Sequence, residues 1–197
     1  MTENQRDIEI IRELAEQYAE IAAQPIMDER RDLWRRHNSL ERTRPLVYMR
    51  WFAAWSEHPQ SQLQCEDPFW QGHERFLRQH IVQDEVGDDY VIEPWMSQKA
   101  SIRLPEHGRW GVPYNRPKEP GGAWLYDPPV KTLEDIEKLA EPHHVIDEKA
   151  TERNVERLRD AVGDVLTVNV DRTPAYWGFG GDISTDIAYI RGLEQIM

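Results

Sequence analysis

The sequence predicts an α/β fold. Amphipathic helical stretches alternate with short apolar runs bounded by Pro, Gly or Asp. The run Val165–Val170, a long loop and the apolar stripe of Ser184–Met197 also read as one β/α unit. The 197 residues, 39% hydrophobic and 30% charged, are enough chain for a sizeable core. This alternation favours a parallel sheet or barrel over a helical bundle, although fewer core strands are visible than a (β/α)8 barrel needs.

The elements follow in order. Ile8, Ile11, Leu14, Tyr18 and Ile21 recur at helical spacing, giving a helix over Asn4–Ala23 that Pro25 ends. Asp28 caps a second helix through Leu40, with Leu33, Trp34, His37 and Leu40 on it. Leu46–Met49 reads as a strand after the Arg44-Pro45 break. Pro68 opens a third helix to about Gln83, whose face carries Trp70, His73, Leu77 and His80. Tyr90–Ile92 reads as a second strand, and hairpin strands are expected near Ala100–Leu104, within the irregular Pro- and Gly-rich region Arg103–Pro129. Thr132 with Asp135 resembles a capping box ahead of Leu133, Ile136 and Leu139. A helix over Asp147–Val162 closes at Gly163, and the strand Val165–Val170 follows. The last helix, capped by Ser184, reads as continuing to Met197 without a stop. A lone β/α unit cannot bury its own apolar faces, so the chain is expected to be the N-terminal part of a longer protein, truncated at its C-terminus.

Composition narrows the function classes. A net charge of −12 argues against non-specific nucleic-acid binding, which needs clustered Lys and Arg. The basic stretch Arg30–Arg36 is interleaved with acids and reads as a solvated helix face. No apolar run approaches a membrane span, and the first ten residues lack an apolar signal core. With the single Cys65, this points to the cytoplasm.

No complete catalytic signature is present. Gly178-Phe179-Gly180-Gly181 offers backbone amides to an anion but lacks the spacing of a dinucleotide loop. His143-His144 are adjacent and diverge, and His73 and His80 stand two helical turns apart, too far to share one ion. Cys65, Glu66 and Asp67 read as a buried thiol beside an Asp-Pro helix start rather than as metal ligands. Eight tryptophans, many near loops, suit either loop packing or a pocket for a flat ligand.

The strand ends carry the site, because parallel α/β folds bind ligands at the carboxyl ends of their strands. There lie Met49-Arg50-Trp51, Glu93-Pro94-Trp95 and Asn169-Val170-Asp171-Arg172. Arg50 and Arg172 suit bidentate carboxylate binding, Glu93 and Asp171 suit proton transfer, and Trp51 and Trp95 suit a pocket wall. The other use of these charges is to pair as structural bridges, and the sequence leaves both open.

The segments RRDLWRRHNSLERTRPLVYMR (Arg30–Arg50), LQCEDP (Leu63–Pro68), DDYVIEP (Asp88–Pro94), GRWGV (108–112) and RGLEQIM (191–197) together resemble the uroporphyrinogen decarboxylase superfamily. The nearest likeness is to its divergent bacterial members, in the clan that also holds corrinoid-dependent and corrinoid-independent methyltransferases. The resemblance implies a (β/α)8 barrel over residues 44–197 onward, preceded by a helical extension over residues 1–43. Arg44-Pro45…Met49-Arg50 matches the start of the family's RPxxxMRQAGR segment, which makes Arg50 a carboxylate-binding residue. Trp51-Phe52-Ala53-Ala54 replaces the rest of that segment, and the family's FSDIL segment has no counterpart in register with Glu93. These departures point toward methyl transfer or another lyase reaction on a carboxylated or methylated small molecule, over porphyrinogen decarboxylation. No cofactor is implied for this segment. Zinc or a corrinoid belongs to the methyltransferase branch of a full-length parent, with a homodimer or a corrinoid protein as partner. The competing class is a barrel that binds a small molecule without chemistry.

Overall fold

The computed structural model describes residues 3–51, 53–103, 110–113, 127–173 and 183–195. The chain forms two compact units, Met1–Gln98 with Asn154–Asn169, and Lys99–Arg153 with Val170–Met197. Both helix and strand are present, as an α/β chain requires. The glycine run at 178–181, Trp124 and Trp177 lie outside the described residues.

In the first unit, α1 (Glu3–Ala22) packs along α3 (Pro68–Val86). The α1 stripe Ile11, Leu14 and Tyr18 is buried against Trp70 and Leu77 of α3, with Met27, Ile92, Met96, Leu158 and Leu166 completing the core. Between them, α2 (Pro25–Asn38) begins earlier than its sequence suggests. Pro25 both ends α1 and opens α2, because its missing N–H is no loss in a first turn. The cap is Gln24, and Asp28 lies in the first turn. The helix exits through Leu40 at φ 60, a left-handed conformation unusual for Leu.

Helix α3 has strong punctuation. The Asp67 carboxylate accepts the Phe69 N–H at 2.8 Å, Pro68 follows, and Gly87 at φ 70 ends the helix beyond the expected Gln83. The loop before it hangs on two buried carboxylates. Asp7 of α1 accepts the N–H groups of Glu66 and Asp67, and Glu74 of α3 accepts those of Gln64 and Cys65. Arg78 neutralises Glu74 at 2.8 Å. Cys65 is buried, as its position before the Asp-Pro start suggested.

The expected strands Leu46–Met49 and Tyr90–Ile92 do not form. Side chains take the hydrogen bonds a ladder would have made. Asp89 accepts the Val47 N–H at 2.8 Å, Asp88 accepts that of Met49 at 2.7 Å, and buried Arg30 donates to the Tyr90 carbonyl at 3.1 Å. Arg30 is therefore no part of a solvated face, and Arg31 divides between Glu93 and an exposed pair with Asp28; Arg35 and Arg36 make the exposed pairs expected there.

Strand β1 (Trp95–Lys99) neighbours β4 (Thr167–Asp171). The Thr167 N–H reaches the Pro94 carbonyl and the Ala100 N–H reaches that of Asp171, so residue numbers rise together and the pair is parallel.

In the second unit, β2 (Ile102–Arg103) pairs antiparallel with β3 (Val145–Ile146). The β3 partner lies more than forty positions along the chain, and the rest of the expected hairpin, from Leu104 on, falls largely outside the described residues. Asp135 accepts the Lys131 and Thr132 N–H groups, but the following turn is a short 3-10 helix over Glu134–Lys138 that leaves Leu133 and Ile136 exposed. Asp147 caps α4 (Glu148–Val162) through the Ala150 N–H. Helix α5 (Ile183–Arg191) does not continue to Met197: Gly192 at φ 84 stops it, and a 3-10 turn Leu193–Gln195 follows.

Candidate functional site

The first unit carries a cleft of about 180 Å³ lined by Tyr48, Met49, Arg50 and Trp51 on one segment. Gln79, His80 and Gln83 of α3, with Tyr90, complete the wall. Among the described residues the wall carries one obligate cation, Arg50, with amide and aromatic side chains around it.

The segment bearing Arg50 is held rigidly from below. Buried Asp88 accepts the Met49 N–H at 2.7 Å and the Tyr90 N–H at 3.0 Å, and Gln83 donates to it at 2.5 Å. Asp89 grips both Arg44 and the Val47 N–H, while its own N–H returns to the Val47 carbonyl. The Arg44 guanidinium draws the Asp89 carboxyl down to about 2, with burial opposing. Trp34 of α2 fixes the Asp89 carbonyl at 2.6 Å.

His80 and Tyr90 form a pair in the cleft wall. His80 Nδ1 lies 2.7 Å from the Phe76 carbonyl and Nε2 lies 2.9 Å from the Tyr90 hydroxyl. A carbonyl only accepts, so Nδ1 carries the proton and Nε2 accepts from the phenol. Burial pushes the His80 pKa down and the Tyr90 pKa up to about 12, so both are neutral at pH 7. Tyr48 stacks on Tyr90 with ring centroids 5.1 Å apart, and Phe76 and Tyr18 pack on His80. Beside them Trp51 meets Trp55 edge-on, and both buried indole N–H groups lack an acceptor among the described residues.

Of the residues nominated from sequence, Arg50 and Trp51 come together in this cleft. Glu93, also in the first unit, binds Arg31 through both oxygens at 3.0–3.2 Å and does not line it. Trp95 starts β1 and is 40% exposed. In the second unit, Asp171 accepts the Thr173 N–H at 2.9 Å, and the Thr173 bonds hold its carboxyl below the ordinary range. Arg172 makes a two-pronged pair with Glu148 at 2.7 and 2.9 Å.

His80, Tyr90, Tyr48, Gln79 and Gln83 enter the wall without having been nominated. The only sequence signal was the helical stripe that carried His80, which reads equally as core. A second cleft of about 260 Å³ is lined by Glu13, Glu85, Gln17, Gln64 and the Arg78 that neutralises Glu74. Among the described residues no group of three or more His, Cys, Asp or Glu could hold a metal, and no helix is long and apolar enough to cross a membrane. No protein-family model, curated protein or solved structure matches the chain.

Proposed function

We propose that the chain belongs to an enzyme of the uroporphyrinogen decarboxylase superfamily and supplies the first part of a (β/α)8 barrel, in which Arg50 anchors the anionic group of a carboxylated small molecule. The observation that carries this reading is the placement of Arg50 and Trp51 side by side in the wall of one cleft. The clamp of Asp88 and Asp89 on residues 44–49 supports it, since a recognition arginine gains from a fixed backbone. The buried Trp51 N–H supports it further, because an oxygen delivered by a ligand would satisfy that donor.

In this reading the reaction is methyl transfer or a lyase step on the ligand that Arg50 holds. Zinc or a corrinoid belongs to the methyltransferase branch of this reading, in a full-length parent. A corrinoid protein or a second copy of the chain is the corresponding partner. The two-pronged Arg31–Glu93 pair favours a second reading, a barrel that binds its ligand without chemistry, since that carboxylate is already engaged.

Calorimetric titration with benzoate-type carboxylates tests the anchor. The expected result is binding that Arg50→Ala weakens by tenfold or more, on the order of the 1.5–3 kcal/mol of a charged hydrogen bond. Equal affinity in wild type and variant removes the assignment. Uroporphyrinogen turnover that survives Arg50→Ala unchanged likewise removes the decarboxylase branch.

A further inference from the structure

We propose that Tyr90 and His80 form a proton-transfer pair serving the cleft, which takes a proton from a weakly acidic O–H on the ligand that Arg50 anchors. This rests on the cleft reading above and names the group that meets the ligand's reacting end.

The direction of the pair is fixed by geometry. Because the Phe76 carbonyl holds the Nδ1 proton, the Nε2 lone pair draws the Tyr90 proton inward. Among the described residues His80 alone hydrogen-bonds the phenol oxygen, so its lone pairs are left to accept from a ligand. Both residues line the cleft that holds Arg50. The aromatic rings of Tyr18 from α1 and Phe76 from α3 pack on His80, and that of Tyr48 from the 44–50 segment stacks on Tyr90, leaving the pair half-buried. The titratable groups facing the pair are those tyrosines and Arg50, with Asp88 and Glu93 acting electrostatically on Tyr90.

The step balances. The ligand O–H bond breaks and its proton bonds to the Tyr90 oxygen, while the phenol's own proton moves to His80 Nε2. The electron pair of the broken bond stays on the ligand. Tyr90 remains a neutral phenol, and His80 becomes an imidazolium whose Nδ1–H still donates to Phe76. One anion and one cation form together, so neither charge is stranded in the buried wall. A direct deprotonation of Tyr90 by the solvent has no such compensation. Arg50, with no proton to accept, serves only as the anchor.

The probe is a hydroxy-nitrobenzoate, whose carboxylate suits Arg50 and whose nitrophenol hydroxyl yellows on ionisation. Bound to the wild-type chain, its hydroxyl is expected to ionise about one pH unit lower than when bound to Tyr90→Phe, a tenfold change. On wild-type protein alone, nitrogen NMR is expected to show His80 passing from its single Nδ1–H tautomer to the doubly protonated ring as the probe binds. The same absorbance in wild type and a folded Tyr90→Phe, or a His80 that stays neutral with probe bound, overturns the relay and leaves the Arg50 anchor standing. A probe that fails to bind wild type, or binds Arg50→Ala equally well, overturns the cleft reading and the relay with it.

Discussion

Asp88 accepts the Met49 N–H at 2.7 Å, one residue before Arg50 and two before Trp51. A buried carboxylate thus holds the backbone next to a cleft-lining arginine. The same carboxylate receives the Tyr90 N–H and the Gln83 amide, so three parts of the wall share one anchor.

Asp88→Asn places an NH2 group where donors converge and leaves at least one buried donor unpaired. The expected loss is roughly 2–3 kcal/mol of stability in denaturant titrations. Affinity for aromatic carboxylates should fall even at temperatures where the variant is fully folded. Undiminished affinity would show that Arg50 does not depend on this anchor.

The Asp89 carboxyl, lowered from 3.8 to about 2 by Arg44, makes stability fall in acid. Its contribution is complete above the unfolded pKa and is lost as pH drops through the folded one. The interval from 3.8 to about 2 corresponds to roughly 2 kcal/mol. Between pH 4.5 and about 1.5, wild type should lose that much more than Asp89→Asn in equilibrium unfolding. Parallel pH profiles would place the acid sensitivity elsewhere.

Leu40 is 94% exposed at φ 60, paying a steric penalty for no buried area. Leu40→Gly should raise stability by about 1 kcal/mol, offset only partly by the added freedom of the unfolded chain. Thermal melts of the two proteins check this, and a lower midpoint in the variant would refute it.

Burial and the Glu74 carboxylate push the Cys65 thiol well above its ordinary pKa. At pH 8 the native chain should therefore react with an aromatic disulfide reagent on the order of a hundredfold more slowly than the unfolded chain. Native labelling as fast as in denaturant would mean that the Gln64–Asp67 loop opens freely.

Helices α1, α3 and α4 were legible because their signals are local: a 3.6-residue stripe, an Asp-Pro or Asp start, a Gly exit. Gly192 is a local stop of the same kind, but the apolar stripe on either side of it reads as one continuous helix. The apolar runs at Leu46–Met49 and Tyr90–Ile92 misled because strand formation depends on who supplies the hydrogen-bond partners. Here Asp88 and Asp89 supply them. The same holds at the site. Arg50 and Trp51 follow from their place after an apolar run, whereas the Arg31 that engages Glu93 lies 62 positions away and could not be read from either segment. His80 and Tyr90 look like ordinary packing residues until α3 sets one against the other.

The carboxylate clamp has a consequence for how this chain behaves in a crowd. Apolar, β-prone runs with open backbone groups invite a second molecule to add a strand. In Leu46–Met49 and Tyr90–Ile92, the Val47 N–H and carbonyl, the Met49 N–H and the Tyr90 N–H and carbonyl are already taken by partners within the chain. Two acidic side chains and one buried arginine thereby occupy backbone groups that a second molecule would otherwise pair with, so the residues that hold the Arg50 segment also blunt its edge.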